Sequence, residues 1–342
     1  LRAAKDTPSF FLAMGAVEQA DWAGNLANRS LAPPQDAPAI CILDSGVTRE
    51  HPLIAPALEA VDQHAYVAAW GGGDSAYWGG HGTQMAGSAL YGCLFNVLPG
   101  GGQLQLTHRL ESVKILPNNA HNDPYLYGKI IEDAVDAVEL LSPLRPRVFC
   151  MSVTSSVGLA RGRPTSWSAA IDQLAYGQGA NSRLFILAAG NIRDDILPAE
   201  YPDRNDLAEC ESPTQAWNAL VVGACTDKVA LLDPTYAGWQ PLAPAGDLSP
   251  TSRTSTIWDR QWPVRPDVVF EGGNMAHDNV NPADAADDLQ LVTTHFRPNN
   301  RMFDSFGDTS AATAQVSRMA AQILVDDPAR RPSAEMTCSA TH

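Results

Sequence analysis

The feature that most constrains this chain is a set of apolar segments typical of strands that are buried on both faces. They occupy residues 39–47, 148–154, 184–191 and 219–224. Continuous apolar runs of this kind are typical of parallel strands. A helical pattern separates two of them at residues 126–141, where apolar side chains recur at i, i+3, i+4 and i+7. The alternation predicts a three-layer α/β fold, with a central, mainly parallel sheet and helices on both faces.

The chain divides into an N-terminal extension, residues 1–38, and one large domain, residues 39–342. The extension ends in a proline-rich stretch. Its sequence is compatible with the remnant of a pro-segment, with a linker or with a helix packed on the main body. Residues 225–305 are rich in Pro, Gly, Asn and Asp between short strand-like runs. We expect long surface loops there that belong to the same domain.

The charge of the chain bears on its partners. It has 23 basic and 38 acidic residues, which gives a net charge of −15. Nucleic acid and anionic membrane surfaces are therefore poor partners, whereas a basic peptide would be attracted. No apolar run in the sequence approaches the length of a membrane span. The hydrophobic content of 45% and the charged content of 18% predict a large buried core.

The six cysteines bear on the redox state of the compartment in which the protein works. None of them forms a CxxC pair, and Cys41 and Cys150 lie inside apolar strand-like runs. We interpret them as buried free thiols in a reducing compartment and predict a cytoplasmic location. The sequence begins at Leu1. We take this for a processed or trimmed end, which leaves a secreted location open.

Three polar residues stand beside apolar elements where chemistry is possible. Asp44 lies near the end of the first strand, where open parallel sheets place their functional groups. His81 lies between glycines, which let other groups approach its ring, and opens a helical pattern. Ser310 begins an alanine-rich helical run, whose N-terminal N–H groups favour a developing oxyanion. Taken singly, each residue also has a structural explanation as a turn, packing or capping residue.

Taken together, these residues occur in the order Asp, His, Ser, which is the order in subtilisin. Four motifs resemble those of the subtilase family, the subtilisin-like serine peptidases. They surround the aspartate, the histidine, a strand-end asparagine and the serine, at residues 42–47, 81–87, 188–191 and 309–312. The resemblance spans about residues 39–325.

The resemblance implies a serine endopeptidase that hydrolyses peptide bonds through an acyl-enzyme. Ser310 would be the nucleophile, His81 the general base and Asp44 the group that orients the histidine. The Asn191 side-chain amide would donate to the oxyanion.

The resemblance also implies where a peptide substrate would lie. One edge would pair with the substrate backbone, and a second segment would line the primary specificity pocket beside it. The residues implied are Ser152, Val153 and Thr154 for the edge, and Ala188, Ala189 and Gly190 for the pocket. Thr154 stands where many members have glycine, so its Cβ should narrow the pocket and favour smaller substrate side chains.

One departure from the family pattern concerns the nucleophile. Asp308 stands two residues before Ser310, where glycine is usual, and could crowd the site or raise the pKa of His81. A catalytically idle binding or partner subunit therefore stays open. An exopeptidase of the same fold also stays open, because acidic loop residues could capture the amino terminus of a substrate. An active protease in the cytoplasm would need restraint, so we expect regulation through autoinhibition, a regulatory domain or a partner protein.

We expect no cofactor. Calcium would need several oxygens arranged around one loop, and the acidic clusters lack an ordered ligand spacing. We interpret these clusters as solvated loops. They comprise Asp194, Asp195, Asp203, Asp206, Glu209 and Glu211 in one stretch, and Asp284, Asp287 and Asp288 in another.

Overall fold

The computed structural model describes residues 7–177 and 181–328, and a seven-stranded sheet lies at its centre. The strands are β1 (Ser30–Leu31), β2 (Ala39–Asp44), β3 (Gln63–Ala65), β4 (Leu104–Gln105), β5 (Arg109–Lys114), β6 (Arg147–Met151), β7 (Leu184–Ala188), β8 (Leu220–Cys225), β9 (Gln240–Pro241), β10 (Val268–Glu271), β11 (Ala276–His277), β12 (Leu291–Thr294) and β13 (Phe303–Phe306). The central sheet has the order β10-β8-β7-β6-β2-β5-β3, and all of its neighbouring strands are parallel. The predicted parallel sheet is confirmed.

Helices cover both faces of this sheet. They are α1 (Ser9–Leu12), α2 (Ala16–Arg29), α3 (His81–Tyr91), α4 (Leu94–Val97), α5 (Tyr127–Leu141), α6 (Ser166–Tyr176), α7 (Asp203–Leu207) and α8 (Asp308–Asp326). Helices α3 and α8 contribute to the cores on one face, and α5 and α6 to the core on the other. The three-layer α/β architecture expected from the sequence is therefore present.

Strand β2 shows why its sequence is apolar at every position before Asp44. Ile40 and Ile42 belong to the core that includes α3 and α8, whereas Cys41 and Leu43 belong to the core that includes α5 and α6. Because successive side chains of a strand point to opposite faces, a strand covered on both sides needs apolar residues throughout. The polar Asp44 then falls at the carboxyl end, at the edge of the sheet.

The described part of the N-terminal extension packs on the main body. Phe11 is fully buried, and its ring lies 6.3 Å from that of Phe303 in an edge-to-face arrangement. The Gln19 side chain donates to the Phe11 carbonyl at 3.0 Å and accepts from the Met302 N–H at 2.9 Å. The segment thus contacts β13, the strand that leads into α8.

Strand β5 carries charged and polar residues, yet all six of its residues are buried. The charged Glu111 accepts two hydrogen bonds from Arg147, both at 2.9 Å, and one from Arg145 at 2.8 Å. Paired charges and hydrogen bonds let these polar side chains lie inside the protein.

In the described ranges, no helix is both long and apolar enough to cross a membrane. Among the described cysteines, Cys41, Cys93, Cys150 and Cys210 are buried free thiols, and Cys225 is a partly buried free thiol. Cys338 lies outside the described residues.

Candidate active site

Three side chains from separate elements form a continuous hydrogen-bonded chain. Asp44 ends β2, His81 is the first residue of α3, and Ser310 is the third residue of α8. The His81 Nδ1 lies 2.9 Å from each Asp44 carboxylate oxygen, and its Nε2 lies 3.0 Å from the Ser310 Oγ. These distances suit proton transfer from the serine to the imidazole. The residues predicted from separate motifs are thus brought together.

A glycine lets the aspartate loop and the histidine helix approach each other. A Cβ on Gly82 would overlap the Gly46 carbonyl oxygen and lie 3.3 Å from the Asp44 Cβ. Gly46 itself has a φ of 98°, a conformation that favours glycine. The glycine beside the histidine therefore has a steric reason in this fold.

Asp74, which the sequence did not single out, joins the same two segments. Its carboxylate accepts from the Ser45 hydroxyl at 2.7 Å and from the Thr83 backbone N–H at 2.6 Å. The Ser45 hydroxyl oxygen in turn accepts from the Gly82 N–H at 3.0 Å. Free N–H groups at the start of α3 are satisfied in this way, and the position of the helix is fixed relative to Asp44.

The backbone at the start of α8 positions Ser310 and directs the Asp308 side chain towards Thr251. Asp308 has a φ of 63°, in the left-handed region where glycine is usual and Asp is tolerated. The Thr251 hydroxyl donates to its carboxylate at 2.7 Å, while its backbone N–H donates to the Gly272 carbonyl at 2.6 Å. Burial of the carboxyl raises the pKa of Asp308, although the Thr251 hydrogen bond and the nearby charge of His81 oppose the rise. Asp308 lines the cleft without separating Ser310 from His81.

The electrostatic surroundings of His81 favour its charged form. Burial by itself lowers the pKa of His81, but the charge and hydrogen bond of Asp44, with smaller contributions from Asp74 and Asp308, raise it above the ordinary value. An imidazole with a raised pKa is a stronger base once it is deprotonated. Asp308 thus contributes to raising the pKa of His81, as its position in the sequence led us to expect.

Asn191 is held with its carbonyl end turned towards α8. Its Oδ1 accepts from the Thr309 N–H at 3.0 Å and from the Thr309 hydroxyl at 2.6 Å. Its amide nitrogen makes no hydrogen bond to any other described residue, and Asn191 lines the same cleft as Ser310. The amide hydrogens are therefore available to an oxyanion formed beside Ser310.

The cleft contains one of the two predicted substrate-binding segments. It has a volume of about 450 Å³, and Ser152, Val153 and Thr154 line it together with Asp44, His81 and Ser310. Ala188, Ala189 and Gly190 do not line this cleft and are buried. The segment before Asn191 therefore supports the site from behind, and the structure does not bring it to the cleft surface.

Glu211 differs from the solvated acid that its acidic neighbours suggested. Its side chain is 1% exposed, and the Arg193 guanidinium donates to it at 2.8 Å. The Thr154 hydroxyl donates to its other oxygen. The interpretation of this stretch as a uniformly solvated loop was wrong at Glu211, because charged and hydroxyl partners from distant segments compensate its burial. Elsewhere in the described ranges, as here, no group of three or more His, Cys, Asp or Glu residues is placed to hold a metal ion.

Comparison with protein families identifies the fold. A family model described as the Subtilase family matches residues 35–338. The chain belongs to the subtilase family. It is accordingly a subtilisin-like serine protease, a hydrolase whose substrates are peptides or proteins. No curated protein matches this subtilase at a significant level.

Solved structures agree with this fold. A lanthipeptide protease is 18% identical with a TM-score of 0.55, and the match covers 96% of this chain and 87% of that protein. The S41 psychrophilic protease is 20% identical with a TM-score of 0.54, over 91% and 83% of the two chains. An epidermin leader peptide processing serine protease from Staphylococcus aureus is 16% identical with a TM-score of 0.53, over 86% and 67%.

Proposed function

We propose that this subtilase is a serine endopeptidase that cleaves peptide bonds through an acyl-enzyme on Ser310. The observation that carries the proposal is the hydrogen-bonded chain from Asp44 through His81 to the Ser310 Oγ, with 2.9 Å and 3.0 Å separations. The available amide of Asn191 beside it adds the electrostatic group that acyl transfer needs.

The proposed reaction needs only groups of this chain, from its side chains and its backbone, and water. The Ser310 Oγ attacks the substrate carbonyl carbon while its proton passes to the His81 Nε2. The carbonyl oxygen becomes an oxyanion that accepts from the Asn191 amide and from the Ser310 backbone N–H. His81 then gives the proton to the leaving amine, and the C–N bond breaks. Water repeats the sequence on the acyl-enzyme and releases the acid product.

An endopeptidase needs room for an extended chain, and a second cavity adjoins the cleft. Its volume is about 500 Å³, and it shares Val153 and Thr154 with the cleft. Its remaining wall is largely apolar and includes Ile115, Ile130 and Trp167. A peptide paired with the edge at residues 152–154 would reach this cavity with an apolar side chain on the amino-terminal side of the cleaved bond.

Active-site labelling tests the proposal directly. A fluorophosphonate should modify Ser310 in the native chain, and mass spectrometry should locate the adduct on the peptide that contains it. The Ser310→Ala variant should remain unmodified. A folded native chain without any adduct on Ser310 would contradict the proposal and favour a binding role. The lengths of products from a long peptide distinguish internal cleavage from removal of terminal residues.

We also propose that the activity is regulated and requires no metal ion. The regulation was expected from the sequence and stays a prediction. If the purified chain digests unfolded casein at full rate without an activator, the prediction of autoinhibition is wrong.

Preincubation with EDTA should leave the rate of peptide cleavage unchanged, and a loss of activity that calcium restores would contradict metal independence.

A further inference from the structure

The buried Glu211 lies in a place that bears on substrate choice. Its backbone N–H donates to the Ala189 carbonyl at 3.0 Å, and the next residue, Ser212, exchanges two backbone hydrogen bonds of 2.9 Å with Ser155. Residue 211 therefore stands between the strand end that leads to Asn191 and the edge proposed to pair with substrate.

The same gap is where the side chain of the substrate residue before the cleaved bond would enter. That residue, called P1 here, has its carbonyl at Ser310 and Asn191 in the proposed reaction. Its backbone would pair with residues 152–154. Its side chain would then point between this edge and residues 188–190.

The Glu211 side chain fills that gap. A Cβ on Gly190 would lie 2.7 Å from the Glu211 Oε2 and 2.9 Å from its Cγ, so the two segments leave no room for a methyl group there. On the other side, the Thr154 hydroxyl donates to the same Oε2. The cleft accordingly has no lining from Ala188, Ala189 or Gly190.

The charge of Glu211 is already compensated. Its Oε1 lies 2.8 Å from the Arg193 Nη1 and 3.5 Å from the Arg253 Nη2. A substrate lysine or arginine would have to displace Arg193 and would only exchange one ion pair for another. The electrostatic gain from a basic P1 residue is therefore small, and the volume of the glutamate is the larger effect.

We propose that Glu211 is a specificity-determining residue that closes the primary pocket and restricts P1 to glycine, alanine or serine. The inference rests on the proposed endopeptidase function and deepens it. The narrowing expected from Thr154 acts in the same direction, because its hydroxyl holds the carboxylate in the gap.

The test uses fluorogenic peptides that are identical except for Ala, Phe, Arg or Glu at P1. The native chain should cleave the Ala peptide with a kcat/KM at least about tenfold above that of the other three. Glu211→Ala should raise kcat/KM for the Phe peptide by about tenfold or more, because it empties the pocket. Glu211→Gln keeps the size without the charge and should keep the native order of preference. The matched control, Asp195→Ala, removes an exposed carboxylate from the neighbouring loop and should also keep it.

Two results would overturn the inference. The first is a native chain that cleaves the Phe peptide as fast as the Ala peptide. The second is a native preference for Arg that Glu211→Gln abolishes, which would mean that the carboxylate recognises a cation. Both comparisons stand even if Glu211→Ala fails to fold. Labelling of Ser310 by a fluorophosphonate separates the two proposals, since a labelled enzyme with another P1 preference contradicts only the inference about Glu211.

Discussion

The contact between Thr309 and Asn191 gives a quantitative prediction about the oxyanion site. The Thr309 hydroxyl donates to the Asn191 Oδ1 at 2.6 Å, and the Thr309 N–H donates to the same atom at 3.0 Å. These bonds direct the amide nitrogen of Asn191 away from α8 and towards the cleft. We therefore expect Thr309 to be a positioning residue, which acts on the proposed reaction through Asn191.

The magnitudes follow from what each substitution removes. Asn191→Leu removes the donor itself and should lower kcat by about 10²–10³-fold. Thr309→Val keeps the shape and the backbone bond but loses one hydrogen bond, which is worth about 1 kcal/mol. Since about 1.4 kcal/mol corresponds to a tenfold change in rate, kcat should fall by about fivefold, with KM nearly unchanged. Thr309→Ser should restore most of the rate.

The double variant decides whether Thr309 acts through Asn191. Without the asparagine, the hydroxyl has no oxygen to hold, so Asn191→Leu with Thr309→Val should be as slow as Asn191→Leu alone. The assay is steady-state cleavage of one peptide by all four proteins. Thr313→Val is the matched control, because its buried hydroxyl donates to the Thr309 carbonyl and not to Asn191. If the two losses multiply in the double variant, the reasoning is refuted.

Three further predictions concern pH and packing. The proposed mechanism needs neutral His81, whose pKa is raised, so kcat/KM should fall as the pH drops through that pKa. Asp308→Asn removes one of the charges that raise it, so the acid limb of the pH profile should move to lower pH; an unchanged limb would contradict this. Gly82→Ala should cost about 1–3 kcal/mol in urea unfolding and abolish labelling of the nucleophile, because the new Cβ overlaps the Gly46 carbonyl. Burial lowers the pKa of His108 to about 4, from 6.5. Between pH 6.5 and pH 4 the unfolded chain therefore binds a proton at His108 that the native chain does not bind. The free energy of unfolding should fall by about 3 kcal/mol from pH 7 to pH 4 because of this residue. Urea unfolding at pH 7 and pH 4 checks this: the free energy of unfolding of His108→Gln should fall by about 3 kcal/mol less than that of the native chain.

The sheet and the elements that carry Asp44, His81 and Ser310 could be predicted because their patterns are local in the sequence, whereas a shared role for the three residues followed only from their order and the resemblance. The alternation of apolar runs and helical patterns requires a parallel sheet covered on both faces, whatever the loops do. Asp44 and Ser310 each lie at the end of an element whose pattern is visible in its own residues. The glycines around His81 belong to the same short motif. Each motif could therefore be interpreted without knowledge of distant contacts.

The primary pocket could not be predicted in this way, because its state depends on three segments far apart in the chain. The resemblance to the subtilases assigned Ala188, Ala189 and Gly190 to a pocket wall, and Gly190 lies against the place that we propose for a P1 side chain. That place is occupied by Glu211, a residue that the sequence groups with the acidic residues of an expected solvated loop. Its burial becomes apparent only when Thr154 and Arg193 are placed around it.

Two buried glutamates show how the surroundings decide what a charge can do. Glu111 pairs with Arg145 and Arg147, whose side chains are 17% and 6% exposed, and none of the three residues lines the cleft. Glu211 pairs with Arg193, whose side chain is 62% exposed and lines the cleft. Burial of a paired carboxylate gives little net stability in either place. At Glu111 its effect is confined to the interior of the protein. At Glu211 the same kind of ion pair fixes a side chain in the path that we propose for the substrate. Its effect is therefore expected in the choice of peptide and only weakly in the free energy of unfolding.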